Sequence, residues 1–582
     1  MILQALTAYY ETLAEKGEIS KPGWGLSKVS FGVNLADDGT ILSLIPLKVE
    51  KQMGKKTVIA PQVFEVPMPE KRTVGVVSNF LCDHSGYILG VDNKGKPKRS
   101  LQCFEACALK HKAILSGIDT PASKAILAFF DTWNPATAAQ QAPLVSDWAE
   151  LMEGGNLVFF HNFRAVLEDV AIKKGWQAYY DGQSSGEDTG TVMQCLVTGE
   201  DTVIPNVHPS IKGVRGAQPS GASLVSFNAP AFTSYHKEQN FNAPIGHYAA
   251  FAYTTALNYL LADRNHCKTI GDTTLVCWAE TGDTAYQDVA MMGMMGQSPQ
   301  EELESDLIRT ISLLADGMPA QWDDVELSPQ TSFYILGLAP NAARISVRFF
   351  LRNTFGQFLA NVQAHQERLD IVRPAYDRHE TIPLWHLLQE TVNQNSRDKN
   401  PAPQMTGDVL RAILENHRYP ATLLNGVTLR IRAEHTITRG RAAIIKAYYL
   451  QNPHSQCPKE VLTVSLNETS TNIPYTLGRL FAVLENLQEK ANPGINTTIK
   501  DKYFNSASAT PNVIFPVLIN LAQKHLRKLD TGYKVYYDKQ IQSLLSILQQ
   551  EYPQRLTLPE QGTFQLGYYH QTQKRYEKKE EK

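Results

Sequence analysis

The hydrophobic pattern changes period along this chain, and that change limits the architectures open to it. Up to about residue 352, apolar residues recur both at every second position and at helical spacing. Beyond residue 407 almost only helical spacing remains. Val29, Phe31, Val33 and Leu35 alternate, Asp37-Asp38-Gly39 turns, and residues 41–47 return, which predicts a hairpin. Residues 57–66, 86–91, 191–197, 224–227, 273–279, 332–338 and 344–352 read as further strands. Helical patterns lie at 3–15, 101–118, 122–133, 244–261 and 354–369, and then at 407–417, 439–450, 473–490, 511–529 and 538–550. No internal repeat of fixed period appears. The fold class expected is α+β: mixed α/β N-terminal and central domains followed by a C-terminal α-helical bundle.

A length of 582 residues corresponds to roughly four domains. The expected division is an α+β domain at 1–135, a central α+β domain at 136–392, a polar, proline-containing linker at 393–407 and the bundle at 408–582. Residues 297–306 read as a surface connection, and 574–582 as a charged, frayed tail. No run of 18 uncharged apolar residues occurs, so no membrane partner is expected. The opening Met1-Ile2-Leu3-Gln4 has no basic region typical of a secretory signal. Seven cysteines, an odd number in a large chain, suit a reducing, cytoplasmic setting. The net charge of −2 hides an asymmetry: residues 405–582 hold 23 Lys+Arg against 15 Asp+Glu, leaving 33 against 43 for the rest. A basic C-terminal third points to a polyanion partner.

Signals for chemistry are weak. Gly182-Gln183-Ser184-Ser185-Gly186 matches the nucleophile-elbow pattern, which needs a strand before it and a helix after. Residues 177–180 could be that strand, but 187–190 break a helix, so a loop is expected. Cys103, Cys107 and His111 sit one helical turn apart, with Cys82 and His84 upstream. They could hold zinc, but the C-x2-C spacing is absent, and buried core cysteines are the plainer reading. Asp83-His84 is an isolated pair. The methionines at 291, 292, 294 and 295 read as core or loop packing. There is no Walker A motif, no H-E-x-x-H and no dinucleotide fingerprint. The expectation is a protein that is not an enzyme, with no cofactor and no metal.

Signals for nucleic acid are stronger. In the 344–352 strand, alternation puts Ile345, Val347, Phe349 and Leu351 on one face, and Arg344, Ser346, Arg348, Phe350 and Arg352 on the other. Three arginines around an aromatic suit phosphates and stacked bases, although a solvated face has the same pattern. Lys212 and Arg215 lie in a glycine-rich loop where backbone can approach phosphate closely. In the C-terminal third, Lys524, Arg527 and Lys528 form one cluster, Lys500 and Lys502 a second, and Arg439, Arg441 and Lys446 a third.

Several runs are distinctive as text. They include Cys195-Leu196-Val197-Thr198-Gly199-Glu200, His208-Pro209, the stretch 211–221, Ser223-Leu224-Val225-Ser226-Phe227-Asn228 and Gly271-Asp272-Thr273-Thr274. Others are Leu336-Gly337-Leu338-Ala339-Pro340-Asn341, with its continuation to Phe349, and the ending Gln561-Gly562…Leu566-Gly567-Tyr568-Tyr569. Together they resemble, end to end, the large subunit of the type I-C CRISPR surveillance complex (Cascade). The resemblance implies a subunit that reads the protospacer-adjacent motif on double-stranded DNA and helps to open the duplex. It also implies one that holds the displaced strand and recruits the helicase-nuclease. Implied partners are the target DNA, the displaced DNA strand, CRISPR RNA and the backbone, RNA-end-binding and small subunits. Base pairing would read the long target while protein reads only the flanking motif. Residues 78–84 resemble a family motif, and Asn79 is the expected motif reader, because its amide can donate and accept at base edges. Lys28 and Arg72 are its expected neighbours, and Gln218 the expected wedge at the first base pair. Phosphate contacts are expected from Lys212, Arg215, Arg344, Arg348 and Arg352, and in the bundle from Lys500, Lys502, Lys524, Arg527 and Lys528. From about residue 471 the chain resembles the complex's small subunit, implying a separate product begun internally at Met405 or, preferably, near Val461 or Val464.

Overall fold

The computed structural model describes residues 2–53, 56–70, 75–185, 191–295, 301–377, 379–397, 399–452, 454, 456–549 and 552–576. The chain packs as two units, Met1–Ile211 with Ser220–Tyr259, and Lys212–Pro219 with Leu260–Lys582. Among the described residues no helix is long and apolar enough to cross a membrane.

The first unit holds β1 (Trp24–Val29), β2 (Phe31–Leu35), β3 (Ile41–Pro46), β4 (Lys48–Met53), β5 (Lys56–Pro67), β6 (Cys82–His84), β7 (Asn156–His161) and β8 (Arg164–Ala165). The predicted hairpin forms as β2–β3, and Gly39 takes φ +83° at its turn. All five residues of β2 are buried. A strand covered on both faces needs neighbours on both sides, and β7 supplies the second by pairing in parallel with β2. The order is β3-β2-β7-β6, so a strand from beyond residue 135 completes this N-terminal sheet. A separate sheet runs β1-β5-β4. The helix Pro97–Leu115 and its neighbour Pro121–Thr132 bury Phe104, Phe129 and Phe130 in the same core as Phe159 of β7.

Three local expectations fail in this unit. Residues 86–91 are not a strand: His84 caps a short helix, Ser85–Ile88, by accepting the Gly86 N–H at Nδ1. Residues 182–185 are not the expected loop: they and residues 177–180 lie inside the helix Val170–Ser185, so no strand precedes Ser184 either; Gly186 lies outside the described residues. Beside the small hairpin of β9 (Val192–Gln194) and β10 (Asp201–Val203), residues 224–227 run irregularly. Apolar alternation there meets no partner strand; nearby pairing is one isolated bridge, Ile211 to Ala222.

The second unit contains β11 (Lys268–Ile270), β12 (Thr273–Ala279), the short hairpin β13 (Ala320–Trp322) and β14 (Val325–Leu327), and the long hairpin β15 (Ser332–Asn341) and β16 (Arg344–Thr354). The larger sheet runs β11-β12-β15-β16, antiparallel throughout. One face of it carries Leu275, Cys277, Phe333, Ile335 and Phe349, which share a continuous core with Phe358, Leu410, Leu480 and Phe564 of the helices. That core runs across the 393–407 segment. The helix Pro403–Leu414 starts inside it and buries Met405. Residues 301–306 begin an amphipathic helix, Glu301–Ala315, rather than a surface connection, because Leu307 and Leu314 on its inner stripe are buried. The helices Ile473–Ala491, Ile499–Ala509, Pro511–Leu526, Thr531–Leu548 and Leu558–Lys574 follow.

Candidate nucleic-acid interface

In the first unit, residues 78–81 form a tight loop leading into β6, and its backbone is tied down by side chains. Leu81 takes φ +57°, and its N–H donates to His111 Nε2 at 2.9 Å. The other ring nitrogen, Nδ1, donates to the Cys107 carbonyl at 2.8 Å. Both nitrogens of His111 are thus engaged in a neutral tautomer. Burial, with a smaller push from Lys110, drives its pKa down to about 4 despite the Cys107 bond. Phe80 stacks on Trp176 at 5.4 Å, and Lys110 Nζ donates to the Ser78 carbonyl at 3.0 Å. Cys82, Cys103 and Cys107 are buried thiols, and burial pushes Cys82 up to about 12. The three cysteines are core residues, and His111 serves the loop.

Asn79 is half-buried at the rim of this loop. Its Oδ1 accepts the Glu70 N–H at 2.9 Å, and its own N–H donates to Asp83 Oδ2 at 3.0 Å. Among the described residues its Nδ2 has no partner. Lys28 is exposed on β1, opposite Val63 of β5. Arg72 lies outside the described residues.

In the second unit, the Lys212–Pro219 loop sits on the sheet that carries the arginines. Arg215 donates its backbone N–H to Thr274 Oγ1 of β12 at 3.2 Å. Gly216, at φ +81°, lies against Pro340 of β15, where a Cβ would come within 3.2 Å of the proline ring. Lys212, Arg215 and Gln218 are exposed. Pro340 pairs with Ile345 and Asn341 with Arg344, so the loop abuts the turn end of the β15–β16 hairpin.

A β-bulge overturns the single-faced arginine stripe. Gly337 pairs with Phe349 and Leu338 with Val347, so Arg348 is the unpaired extra residue. Alternation therefore slips by one across the bulge. Arg344 falls on the face of Ser346 and Phe349, whereas Arg352 falls on the face of Ile345, Val347 and Phe350. Gly337 explains the bulge: the Phe349 ring crosses it, and a Cβ there would come within 2.7 Å of ring carbons. Arg348 pairs with Asp272 at 2.5 Å, a contact open enough to water, at 44% and 28% side-chain exposure, to contribute under about 1 kcal/mol. Asp272 escaped the sequence reading, although it lies in the distinctive 271–274 run. Arg352 lies over the Tyr334 ring, which forms a three-ring cluster with Trp278 at 5.2 Å and Phe350 at 6.1 Å. A cleft of about 360 Å³ opens beside β16, with Phe350, Arg352, Asn353 and His417 among its walls.

The C-terminal clusters divide by burial. Arg439, Arg441 and Lys446 are buried and cannot reach a polyanion. Arg439 binds Asp377 and the carbonyls of His379 and Glu380, Arg441 binds Glu434 and Glu390, and Lys446 donates to the carbonyls of Arg368 and Asp370. Helical periodicity marks which residues share a face but not whether that face is covered. Lys500 is half-buried, 3.7 Å from the buried Glu485 carboxylate. Lys502, Lys524, Arg527 and Lys528 are exposed, although Lys528 also donates to Asn492 Oδ1 at 2.7 Å. Lys524, Arg527 and Lys528 cluster at the end of one helix, where its dipole favours cations.

A family model described as CRISPR-associated protein (Cas_Csd1) matches residues 6–576. No curated protein matches the chain.

Proposed function

The chain belongs to the CRISPR-associated protein (Cas_Csd1) family, and from that premise we propose that it is the large subunit of a type I-C RNA-guided surveillance complex. In this reading it has no catalytic step of its own. It reads a protospacer-adjacent motif on duplex DNA, promotes R-loop formation, holds the displaced strand and recruits a helicase-nuclease. CRISPR RNA and the backbone, RNA-end-binding and small subunits are its partners.

The observation that supports this reading best is the seating of the Lys212–Pro219 loop on the arginine-bearing sheet. The loop lies on the face of Thr274 and Pro340 and presents Lys212, Arg215 and Gln218 from a fixed sheet. Cations on a rigid sheet can follow a phosphate backbone without reading sequence. Lys212→Ala with Arg215→Ala is expected to weaken binding of the assembled complex to motif-bearing and motif-free duplexes alike. The slope of log affinity against log salt should flatten by roughly two phosphate contacts. An unchanged slope would remove the loop from the DNA path.

In this reading Asn79 reads the motif with Lys28 and Arg72 as its helpers, and Gln218 is the wedge. Asn79→Asp separates the two jobs of this amide. Aspartate keeps the acceptor used by Glu70 and loses the Nδ2 donor. It is expected to cost about tenfold in affinity for the motif-bearing duplex, within the range of one base contact, and nothing for the motif-free duplex. Equal weakening of both targets would make Asn79 a structural tie. DNA cleavage by the purified chain in magnesium, manganese or zinc would overturn the non-catalytic reading.

A further inference from the structure

In the first unit, residues 230–242 form a projecting loop whose tip is a two-residue turn. Lys237 N–H donates to the Ser234 carbonyl at 2.9 Å, closing the turn around Tyr235 and His236. Both central residues take positive φ, +50° and +59°, and Gln239 follows at +46°. Such a turn favours Asn and Gly, because a side chain in the left-handed region crowds its own carbonyl. Here a tyrosine occupies the first central position, and it is 92% exposed.

The strain is held in place from behind. Asn242 accepts the Ser234 N–H at Oδ1 (2.9 Å) and donates from Nδ2 to the carbonyls of Lys237 (2.7 Å) and Gln239 (3.0 Å). One amide thus ties both arms of the turn. Among the described residues the Tyr235 ring makes no hydrogen bond and no ring contact, so nothing in the fold uses it. Its neighbours at the tip are Ser234, His236, Lys237 and Glu238, all exposed. A protein-binding anchor would sit within an apolar surround that excludes water, and none adjoins this ring. A lone aromatic beside a lysine suits an unstacked nucleobase and its phosphate.

We propose that Tyr235 is a stacking post: its ring receives a nucleobase freed from pairing at the edge of the opened duplex, with Lys237 against the adjacent phosphate. The inference rests on the reading of the chain as a duplex-opening subunit. The backbone strain keeps the ring projecting rather than folding back onto the unit.

The test uses the full chain in the assembled complex and a guide-matched, motif-bearing duplex with a fluorophore–quencher pair across the first base pairs. Tyr235→Ala is expected to slow strand opening about tenfold, within the range of one lost base–aromatic stack, while Tyr235→Phe keeps the wild-type rate. Tyr235→Gly relieves the left-handed strain, so the complex should melt no lower than wild type and yet open as slowly as the alanine variant. Opening by Tyr235→Ala at the wild-type rate would overturn the stacking post. So would failure of Tyr235→Ala to enter the complex when Tyr235→Phe enters it, because the ring would then contact a protein. If the wild-type complex itself fails to open the duplex, the proposed function falls and takes this inference with it.

Discussion

Gly478→Ala is expected to lower the thermal unfolding midpoint of the second unit by about 5 °C. The helices Ile473–Ala491 and Leu558–Lys574 cross with glycine on both sides of the contact. A Cβ at Gly478 would come within 2.0 Å of the Phe564 carbonyl oxygen, and one at Gly567 within 2.2 Å of the Tyr475 carbonyl oxygen. These obstacles are backbone atoms within helices, so no rotamer change relieves them. The helices must separate, and the core residues beside the crossing, Phe481, Phe504 and Tyr568, lose their packing. Separation also strains the Tyr568 hydroxyl bond to the buried Glu485 carboxylate, 2.6 Å long. The sum is about 3 kcal/mol or more, the upper end of overpacking costs. Gly532→Ala is the control in the same unit. Its Cβ meets nothing within 4 Å and its φ is ordinary, so the substitution should stabilise by up to about 1 kcal/mol. Equal midpoints for the two variants would mean that the crossing is not tight.

Acidification from pH 6.5 to 4.5 is expected to cost the second unit about 4 kcal/mol and the first about 2 kcal/mol through buried histidines alone. Burial holds His365 and His570 of the second unit neutral, with pKa values of about 3 and about 4. His111 of the first unit lies at about 4 for the same reason. Each uses one ring nitrogen as an acceptor: His365 Nδ1 from Tyr419 at 2.6 Å, His570 Nδ1 from Tyr475 at 2.8 Å, and His111 Nε2 from Leu81. Protonation of His111 would set a donor against the Leu81 N–H, whereas at His365 and His570 the tyrosine hydroxyls could turn to accept, and burial of the charged ring carries the cost. The folded pKa lies below the unfolded one, so the stabilisation is present in full above about pH 6.5. It is lost as pH falls toward the folded values, where the unfolded chain binds the extra protons. His266 carries the opposite sign. Although burial opposes it, Asp288 and Asp263 bracket the ring and raise its pKa. Its contribution is present below the unfolded pKa and lost as pH rises through the folded value. Replacing His365 with Gln should flatten the pH dependence of unfolding free energy between pH 6.5 and 4.5 by one proton. An unchanged slope would show that His365 titrates normally.

Of the glycines of that crossing, Gly567 stood in a distinctive run and Gly478 in the segment that resembles the small subunit, and neither carried a structural reason. The reason is interhelical distance, a property of two segments some ninety residues apart. The loop at 78–81 is similar. Its text was recognisable, but the hold on Leu81 comes from His111, which sequence spacing grouped with Cys103 and Cys107 as a ligand set. The candidate interface was legible as charge and misjudged as exposure. Lys212 and Arg215 are where a glycine-rich loop should put them, whereas Arg439, Arg441 and Lys446 turned inward to carboxylates and carbonyls from other segments.

Local periodicity was sufficient for the β2–β3 hairpin, the long β15–β16 pair, the helical C-terminal third and the α+β class, because each follows from neighbours a few residues apart. Family membership was legible too, since it rests on residue order. Only the tertiary structure decided that β7 completes the first sheet, that one core runs through residues 393–407, and that a bulge at Arg348 divides the arginines between two faces. Those outcomes depend on which distant surfaces meet, and a one-residue change of register or a covering helix leaves no mark in the spacing of the residues it reorients.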